Sequence, residues 1–529
     1  MSKKSVQNDK TERPDTAAGE DGYLSHRQIL VVLSGLMAGM FLAALDQSIV
    51  GTALPKITSD LHGLDKLSWV VTAYLLASTA STPLWGKISD LYGRRLIFQV
   101  AIVTFVVGSL LSGFSHSIEE LIAYRAVQGI GGGGLMALAF ATLGDIVPPR
   151  ERGKYGGYMG AVFATSSVLG PVLGGWFADG PGWEWIFWIN VPIGIAAFVV
   201  TSSALKLPHT RREHTIDYLG AALVVGSVTS LLLYTAWAGP AAEYGWTSGL
   251  GFGLVGLALA LAVAFVIVEL RAAEPIIPME LFNNSVFSTS NLYAFVTGMA
   301  MFGAIIFIPL YLQIVDGMSP TRSGLAMLPI VTGIMIASIS SGQIMSRTGR
   351  YKIFPIIGSV LVFTGLVVLS TLDAESAYVH IALGMLLIGL GLGSSMQIIM
   401  TVVQNAVDRK HMGTATSSVT FFRALGGTFG TALFGAVLNS RLQHHLSAAF
   451  PGTGNVKVDT NDASAIRALP AAVESKVLDA FALSLHDVFL AAMPVALIAF
   501  AVSFWIKEIR LKARAHEGEV EVEAVTSAR

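Results

Sequence analysis

Cysteine is absent from all 529 residues. That excludes disulfides, thiolate metal sites and a cysteine nucleophile, and leaves the redox compartment open. Charge is scarce: Asp, Glu, Lys and Arg make up 13% of the chain, about half the roughly 25% of a soluble domain. With a net charge of −1 there is no basic field for nucleic acid. The G-x-x-x-x-G-K-[ST] loop is missing, so ATP is not expected to act through this chain. His, Asp and Glu nowhere cluster with metal-ligand spacing. The first 22 residues are polar and lack the apolar core and cleavage site of a secretory leader, so a disordered tail is expected there.

What the chain has instead is apolar length. Hydrophobic residues are 53% of it, and the mean hydropathy is +0.63. Apolar runs bounded by charge or by Gly and Pro fall at 28–52, 68–88, 96–114, 119–146, 156–178, 185–206, 217–238, 249–270, 289–314, 323–345, 353–372, 378–403, 413–439 and 485–506. Each is near the ~20 residues a helix needs to cross the hydrocarbon core. The expectation is an all-α integral membrane protein with fourteen spans. About 15 Lys and Arg lie in the short even-numbered connections, against Lys56, Lys66 and Arg322 in the odd-numbered ones. Positive charge stays inside, so both termini are expected to be cytoplasmic. The connection at 440–484 would then be external and polar, and nothing in it points to a role.

An internal repeat follows. Gly86-Lys-Ile-Ser-Asp90-Leu-Tyr-Gly93-Arg94-Arg95 comes after span 2, and Gly342-Gln-Ile-Met-Ser346-Arg-Thr-Gly349-Arg350 after span 10. With spans 7 and 8 set aside, each closes the second span of a six-span set. Two related halves with a site at the midplane between them are a transporter architecture. The expected organisation is a polar cytoplasmic tail at 1–27, an N-terminal half at 28–206, inserted spans at 217–270, a C-terminal half at 289–506 and a cytoplasmic tail at 507–529.

Charges inside spans are few, and each is worth about 2.5–3.5 kcal/mol of insertion penalty. Asp46 lies in span 1 and Arg125 in span 4, each about six residues, or roughly 9 Å, from the outer end. Equal depth allows them to pair. Burial favours a neutral acid and a neighbouring guanidinium favours a carboxylate, so such a site can change protonation as its access changes. A purely structural ion pair is the competing reading. Arg423 in span 13 is the third such charge; an inner-end position with snorkelling and a transport role are both open. Glu269 and Arg271 read as interfacial.

Gly129-Ile-Gly131-Gly132-Gly133-Gly134 formally fits G-x-G-x-x-G, but no strand precedes it and it lies mid-span. Close helix packing is the better reading. Gly170-Pro171 with Gly174 and Gly175 would bend span 5 and let a neighbour approach. Met37, Met40, Phe41, Tyr74, Trp85, Phe302, Phe307 and Tyr311 could line an adaptable apolar cavity, with lipid or core positions the competing reading.

Taken together these motifs resemble the major facilitator superfamily, and within it the fourteen-span drug:proton antiporters. Gly86 to Arg95 is similar to its loop 2–3 signature. Leu121-x3-Arg125-x2-Gln128-Gly129 resembles the span 4 signature, and Gly170-Pro171-x2-Gly174-Gly175 the antiporter signature. Leu45-Asp46 through Ala53-Leu54-Pro55, Trp183 to Phe187, Ile189-Asn190-Val191-Pro192-Ile193-Gly194, Tyr311-Leu312-Gln313 and Ser323-Gly324-Leu325 extend the likeness over 28–506.

The resemblance implies a proton-coupled exporter in a bacterial cell membrane, moving amphiphilic or cationic small molecules by alternating access and able to confer antibiotic resistance. It would work as a monomer, driven by the proton gradient without a cofactor. It would be no enzyme. Asp46 and Arg125 would carry proton coupling. Asp46, Gln47, Tyr74, Gln128, Phe302 and Tyr311 would meet substrate. Gly86, Asp90, Gly93, Arg94 and Arg95 would latch the cytoplasmic side, and Gly170, Pro171, Gly174 and Gly175 would bend span 5. Three positions depart from the pattern: Ser166 for a glycine, Glu184 for a basic residue, and Ser346 for the second-half acid. Alternatives on the same fold are export of a lipid, a peptide or a self-made antibiotic, or uptake; a membrane sensor or enzyme is the remote one.

Overall fold

The computed structural model describes residues 26–61, 67–205, 217–237, 248–272, 275–373, 375–408, 411–450, 466 and 469–509. Most of both expected tails, along with Lys66, Lys206, Arg211, Arg212, Arg409 and Lys410, lies outside them. Among the described residues regular structure is helical throughout, as a chain in lipid requires when each backbone amide must be bonded within its own segment.

The N-terminal half comprises α1 (His26–Asp60), α2 (Leu67–Tyr92), α3 (Arg94–Ser112), α4 (Ile118–Ile146), α5 (Pro149–Asp179), and a sixth segment broken at Ile189 into α6 (Trp185–Trp188) and α7 (Asn190–Ala204). The inserted pair is α8 (Tyr218–Trp237) and α9 (Gly249–Glu269). The C-terminal half comprises α10 (Ser285–Ile314), α11 (Pro320–Ala326), α12 (Leu328–Thr348), α13 (Ile353–Leu369), α14 (Tyr378–Ala406), α15 (Met412–Ala449) and α16 (Ala471–Trp505). Ten helical stretches among the described residues are long and apolar enough to cross a membrane. Each of the apolar runs read from the sequence falls on a helix.

The halves meet where α5 packs on α12, α2 on α15, and α4 on α15. The centre is built from α4 and α14, the most buried of the spans, and the rim from α9, the least. On α9, Leu250, Phe252, Leu257, Leu259 and Val263 are exposed, as suits a helix apolar on every side and facing lipid. The inserted pair is held by α8, which packs against both α2 and α15. A small cluster of Val224, Val228, Leu232, Phe265, Ala80 and Phe421 fills that junction.

Both repeat loops end a helix on a left-handed glycine. Gly93 has φ 92° and Gly349 φ 69°, a region that costs an L side chain about 1–2 kcal/mol. The Gly-rich run of α4 is continuous helix. A side chain at Gly129, Gly132 or Gly133 would strike α2, and one at Gly131 or Gly134 would strike α3 or Trp85. The run is therefore a three-helix packing device.

Three expectations change. The first helix continues past position 52 to Asp60, so Asp46 lies deeper from its end than six residues. Glu269 is not interfacial: it is 3% exposed, and its carboxylate accepts from the Ile276 and Ile277 amides at 3.2 and 3.1 Å. The chain folds back after α9, and Glu269 satisfies the returning backbone. Finally, the segment 440–484 is helical at both ends. There α15 runs to Ala449 and α16 starts at Ala471, tied by Asp487 to His445 at 3.0 Å and to Arg441 at 3.6 Å. Residues 451–465, 467 and 468 lie outside the description.

Candidate functional site

Asp46 and Arg125 meet. Arg125 Nη1 stands 2.5 Å from Asp46 Oδ2, and the residues are 2% and 0% exposed. Helical spacing places Gln128 one turn beyond Arg125 on the same face of α4. Its Oε1 accepts from Arg125 Nη1 at 2.8 Å, and its Nε2 donates to Asp46 Oδ1 at 2.8 Å. Tyr74 of α2 covers the other side, its ring centroid 4.4 Å from the guanidinium carbon. The geometry is a buried ion pair with bonded flanks, the condition under which such a pair is tolerated.

A fifth member, Asn190, was given no role by the sequence. Asn190 opens α7 just after the break at Ile189, is 0% exposed, and directs Nδ2 at Asp46 Oδ1 (3.4 Å) and Ser109 Oγ (2.9 Å). Ser109 in turn donates to Phe187 O at 2.8 Å, across the same break. Asp46 is thus connected to α3, α4 and α7 together. The available signal was a lone amide at a helix start beside a span carboxylate.

The antiporter-signature helix touches this cluster two residues further along α1. Ser48 Oγ donates to Ser166 O at 2.8 Å, and a side chain at Gly170 would collide with Ser48. Ser166, where a glycine is usual, fits with its own Oγ buried and without a partner. Gly174 is buried and Gly175 half-buried; the Pro171 side chain lies outside the description.

At the far end of α2 Asp90 reaches across to α15. It accepts from the Gly413 amide at 3.1 Å and the Thr414 amide at 2.9 Å, the first turn of α15, where a carboxylate meets free N–H groups and the positive end of the helix dipole. Arg94 Nη2 holds it at 2.6 Å while Arg94 Nε reaches Asp145 at 2.6 Å. Burial raises the Asp90 carboxyl above its ordinary range, and Arg94 opposes the rise. A side chain at Gly86 would strike Ser417, and one at Gly413 the Asp90–Arg94 pair. Gln404 of α14 completes the seam by donating to Phe140 O of α4 at 2.9 Å. Arg95 is exposed and stands apart. Ser346, the second-half counterpart of Asp90, bonds only back to Gln343 O of its own helix.

Other candidates are dispersed. Gln47 is exposed. Tyr311 is 1% exposed, with its hydroxyl donating to Asp373 O. The Phe302 side chain lies outside the description. Met40 and Phe307 are core, as is Trp85, bonded to Ile130 O at 2.8 Å. Glu184 is half-buried at the start of α6, where its side chain makes no capping bond. Arg423 is not at an inner helix end: it sits 11 residues into α15, roughly 16 Å along its axis.

Residues 36–431 match the family described as Major Facilitator Superfamily. The chain is 40% identical over 91% of its length to an uncharacterized MFS-type transporter, Rv1877, of Mycobacterium tuberculosis, covering 70% of that protein. It is 35% identical to the multidrug transporter protein MdtP of Bacillus subtilis, covering 96% of this chain and 98% of the relative. Among solved structures, the human organic anion transporter MFSD10 superposes with a TM-score of 0.63 at 15% identity, over 90% of this chain and 99% of that one.

Proposed function

The chain belongs to the major facilitator superfamily and is a membrane transporter, and we propose that it exports amphiphilic small molecules, cationic ones among them, in exchange for protons. The observation that carries the reading is the Asp46 carboxylate, enclosed with Arg125, Gln128 and Asn190 inside the N-terminal half. Similarity to a multidrug transporter and to a multidrug resistance protein of Bacillus subtilis supports the cargo class.

Alternating access starts with the seam at Asp90, Gly413, Thr414 and Gln404 parted, so that cargo enters from the cytoplasm or inner leaflet. Closure of that seam turns the cavity outward. A proton reaching Asp46 removes the negative charge that holds Arg125 Nη1 and the amide donors of Gln128 and Asn190. Arg125 is left with Gln128 Oε1 and the Tyr74 ring, and the packing of α1 on α4 and α7 loosens. The contact of Ser48 with α5 passes that change to the helix that faces α12. Cargo leaves outside and the proton is released inside. Moving one charge is worth about 2.3 kcal/mol per 100 mV, which one proton supplies to a neutral cargo; one-for-one exchange with a monovalent cation moves no net charge and draws on the pH difference, in both cases without a cofactor. A single chain contains every part, and the working unit is a monomer. Lowered sensitivity of the host to toxic amphiphiles follows.

The test uses inside-out vesicles with an imposed proton gradient, a pH dye in the lumen and ethidium added outside. Ethidium should draw protons out of wild-type vesicles and not out of vesicles lacking the protein. Ethidium uptake with no proton movement contradicts the exchange.

A further inference from the structure

We propose that Arg423 is an anion-receiving site in the C-terminal half, built to hold the carboxylate of an amphiphilic cargo in the space between the halves. The inference rests on the exporter reading and adds to its cargo amphiphiles that carry an acid group, whether or not they also carry a cation.

Charge balance comes first. Within α10 to α15 no Asp or Glu occurs on any of the helices; α16 carries Glu474 and Asp479 near its start and Asp487 further along. Asp487 is already held by Arg441 and His445. The N-terminal charges are all engaged, Asp46 with Arg125 and both Asp90 and Asp145 with Arg94. Arg423 forms no ion pair among the described residues. Its Nη2 makes one long contact, 3.4 Å to Met396 O, and its Nε is buried with no partner. A guanidinium offers five donors in a planar fork, so nearly all its bonding capacity is unused. Leaving a cation this way in a span is costly, and charges kept in spans mark substrate or ion pathways.

Position comes second. Thr416, Thr420 and Arg423 follow i, i+4, i+7 and share one face of α15. Thr416 Oγ1 accepts from Gln404 Nε2 at 3.1 Å, and the same Nε2 reaches Phe140 O across the seam. This face therefore looks at α14 beside the seam, where Gln404 links it to the opposite half. Thr416 is 0% exposed, whereas Thr420 and Arg423 are half-buried, so the face opens just outward of the seal. Met396, which shares a contact with Arg423, and Met136 of α4 are each half-buried within stretches otherwise buried. An unmatched fork, with flexible methionines half-buried on α4 and α14, suits an apolar body with one carboxylate.

The test compares 1-pyrenebutyrate with 1-pyrenebutanol, identical but for the acid, by fluorescence anisotropy with the full chain in lipid nanodiscs. Wild type should bind the acid about tenfold more tightly, the scale of hydrogen bonds to a charged group. Arg423→Met should bind both alike and match wild type for the alcohol, and Arg423→Lys should keep part of the preference. Equal binding by wild type, or a preference that survives in Arg423→Met, overturns the proposal. So does failure of Arg423→Met to elute as a single folded species, which would assign the residue to the fold. Ethidium extrusion is measured alongside. Extrusion with no acid preference removes only the anion site; acid preference with no extrusion keeps the site and removes the exporter reading.

Discussion

In the N-terminal half an acid and a base from α1 and α4 meet at 2.5 Å, with Gln128, Asn190 and Tyr74 filling the remaining directions. In the C-terminal half a lone guanidinium on α15 has one long backbone contact and an orphaned Nε. The loops differ in the same sense, since Asp90 reaches across to α15 while Ser346 bonds within its own helix. The glycines that end α2 and α12 both take a positive φ, Gly93 with ψ 144° and Gly349 with ψ 3°. The need for glycine at the helix end has thus been kept by both halves, and charge chemistry has been divided between them. The first half holds a neutral pair that a proton can disturb; the second keeps a cation unmatched.

The strongest way to break this comparison is to remove one charge from each half. Arg125→Met leaves Asp46 buried without its counter-charge and should cost about 3–5 kcal/mol of stability, read as a drop in the unfolding temperature of purified protein. Adding Asp46→Asn to it should recover most of the loss. Arg423→Met, by contrast, should unfold no earlier than wild type, because it removes an unpaired charge. If both single variants lose the same stability, the division of charge described here is wrong.

Smaller effects sharpen the difference between the loops. Asp90→Asn removes the charge at the start of α15 and the partner of Arg94, a loss of about 1–2 kcal/mol at the seam. The absence of native cysteine makes a single Thr420→Cys a clean reporter. Its labelling from the cytoplasmic side should rise about tenfold in the Asp90→Asn background, the equivalent of ~1.4 kcal/mol. Ser346→Ala, in the loop without a cross-half contact, should leave labelling unchanged. Smallest of all, Glu184→Arg should stay within about 0.5 kcal/mol of wild type and transport normally, since its side chain makes no capping bond in the structure.

The helices were legible because apolar length is a strong signal and lipid leaves the backbone few choices. The charged pair of Asp46 and Arg125 was legible too, and Gln128 came with the likeness to the span 4 signature. Which faces meet was not, because the contacts join residues 79 to 144 positions apart, and periodicity within one helix says nothing about its neighbour's rotation. Asn190 carried no weight as a single amide until Ser109 and Asp46 were seen beside it. Glu269 read as interfacial because hydropathy locates a helix end but not the fold-back that buries it. The seam of Gln404 on Phe140 links segments 264 residues apart and left no trace in either segment.

Whether Asp46 couples transport to protons is read from proteoliposomes holding wild type or Asp46→Asn, with ethidium exchange and proton flux recorded together. Exchange of ethidium across the membrane without a gradient needs only alternating access. The account predicts that Asp46→Asn keeps this exchange and loses both proton release and gradient-driven accumulation. An Asp46→Asn protein that still accumulates ethidium against its gradient, with proton release equal to wild type, would contradict it.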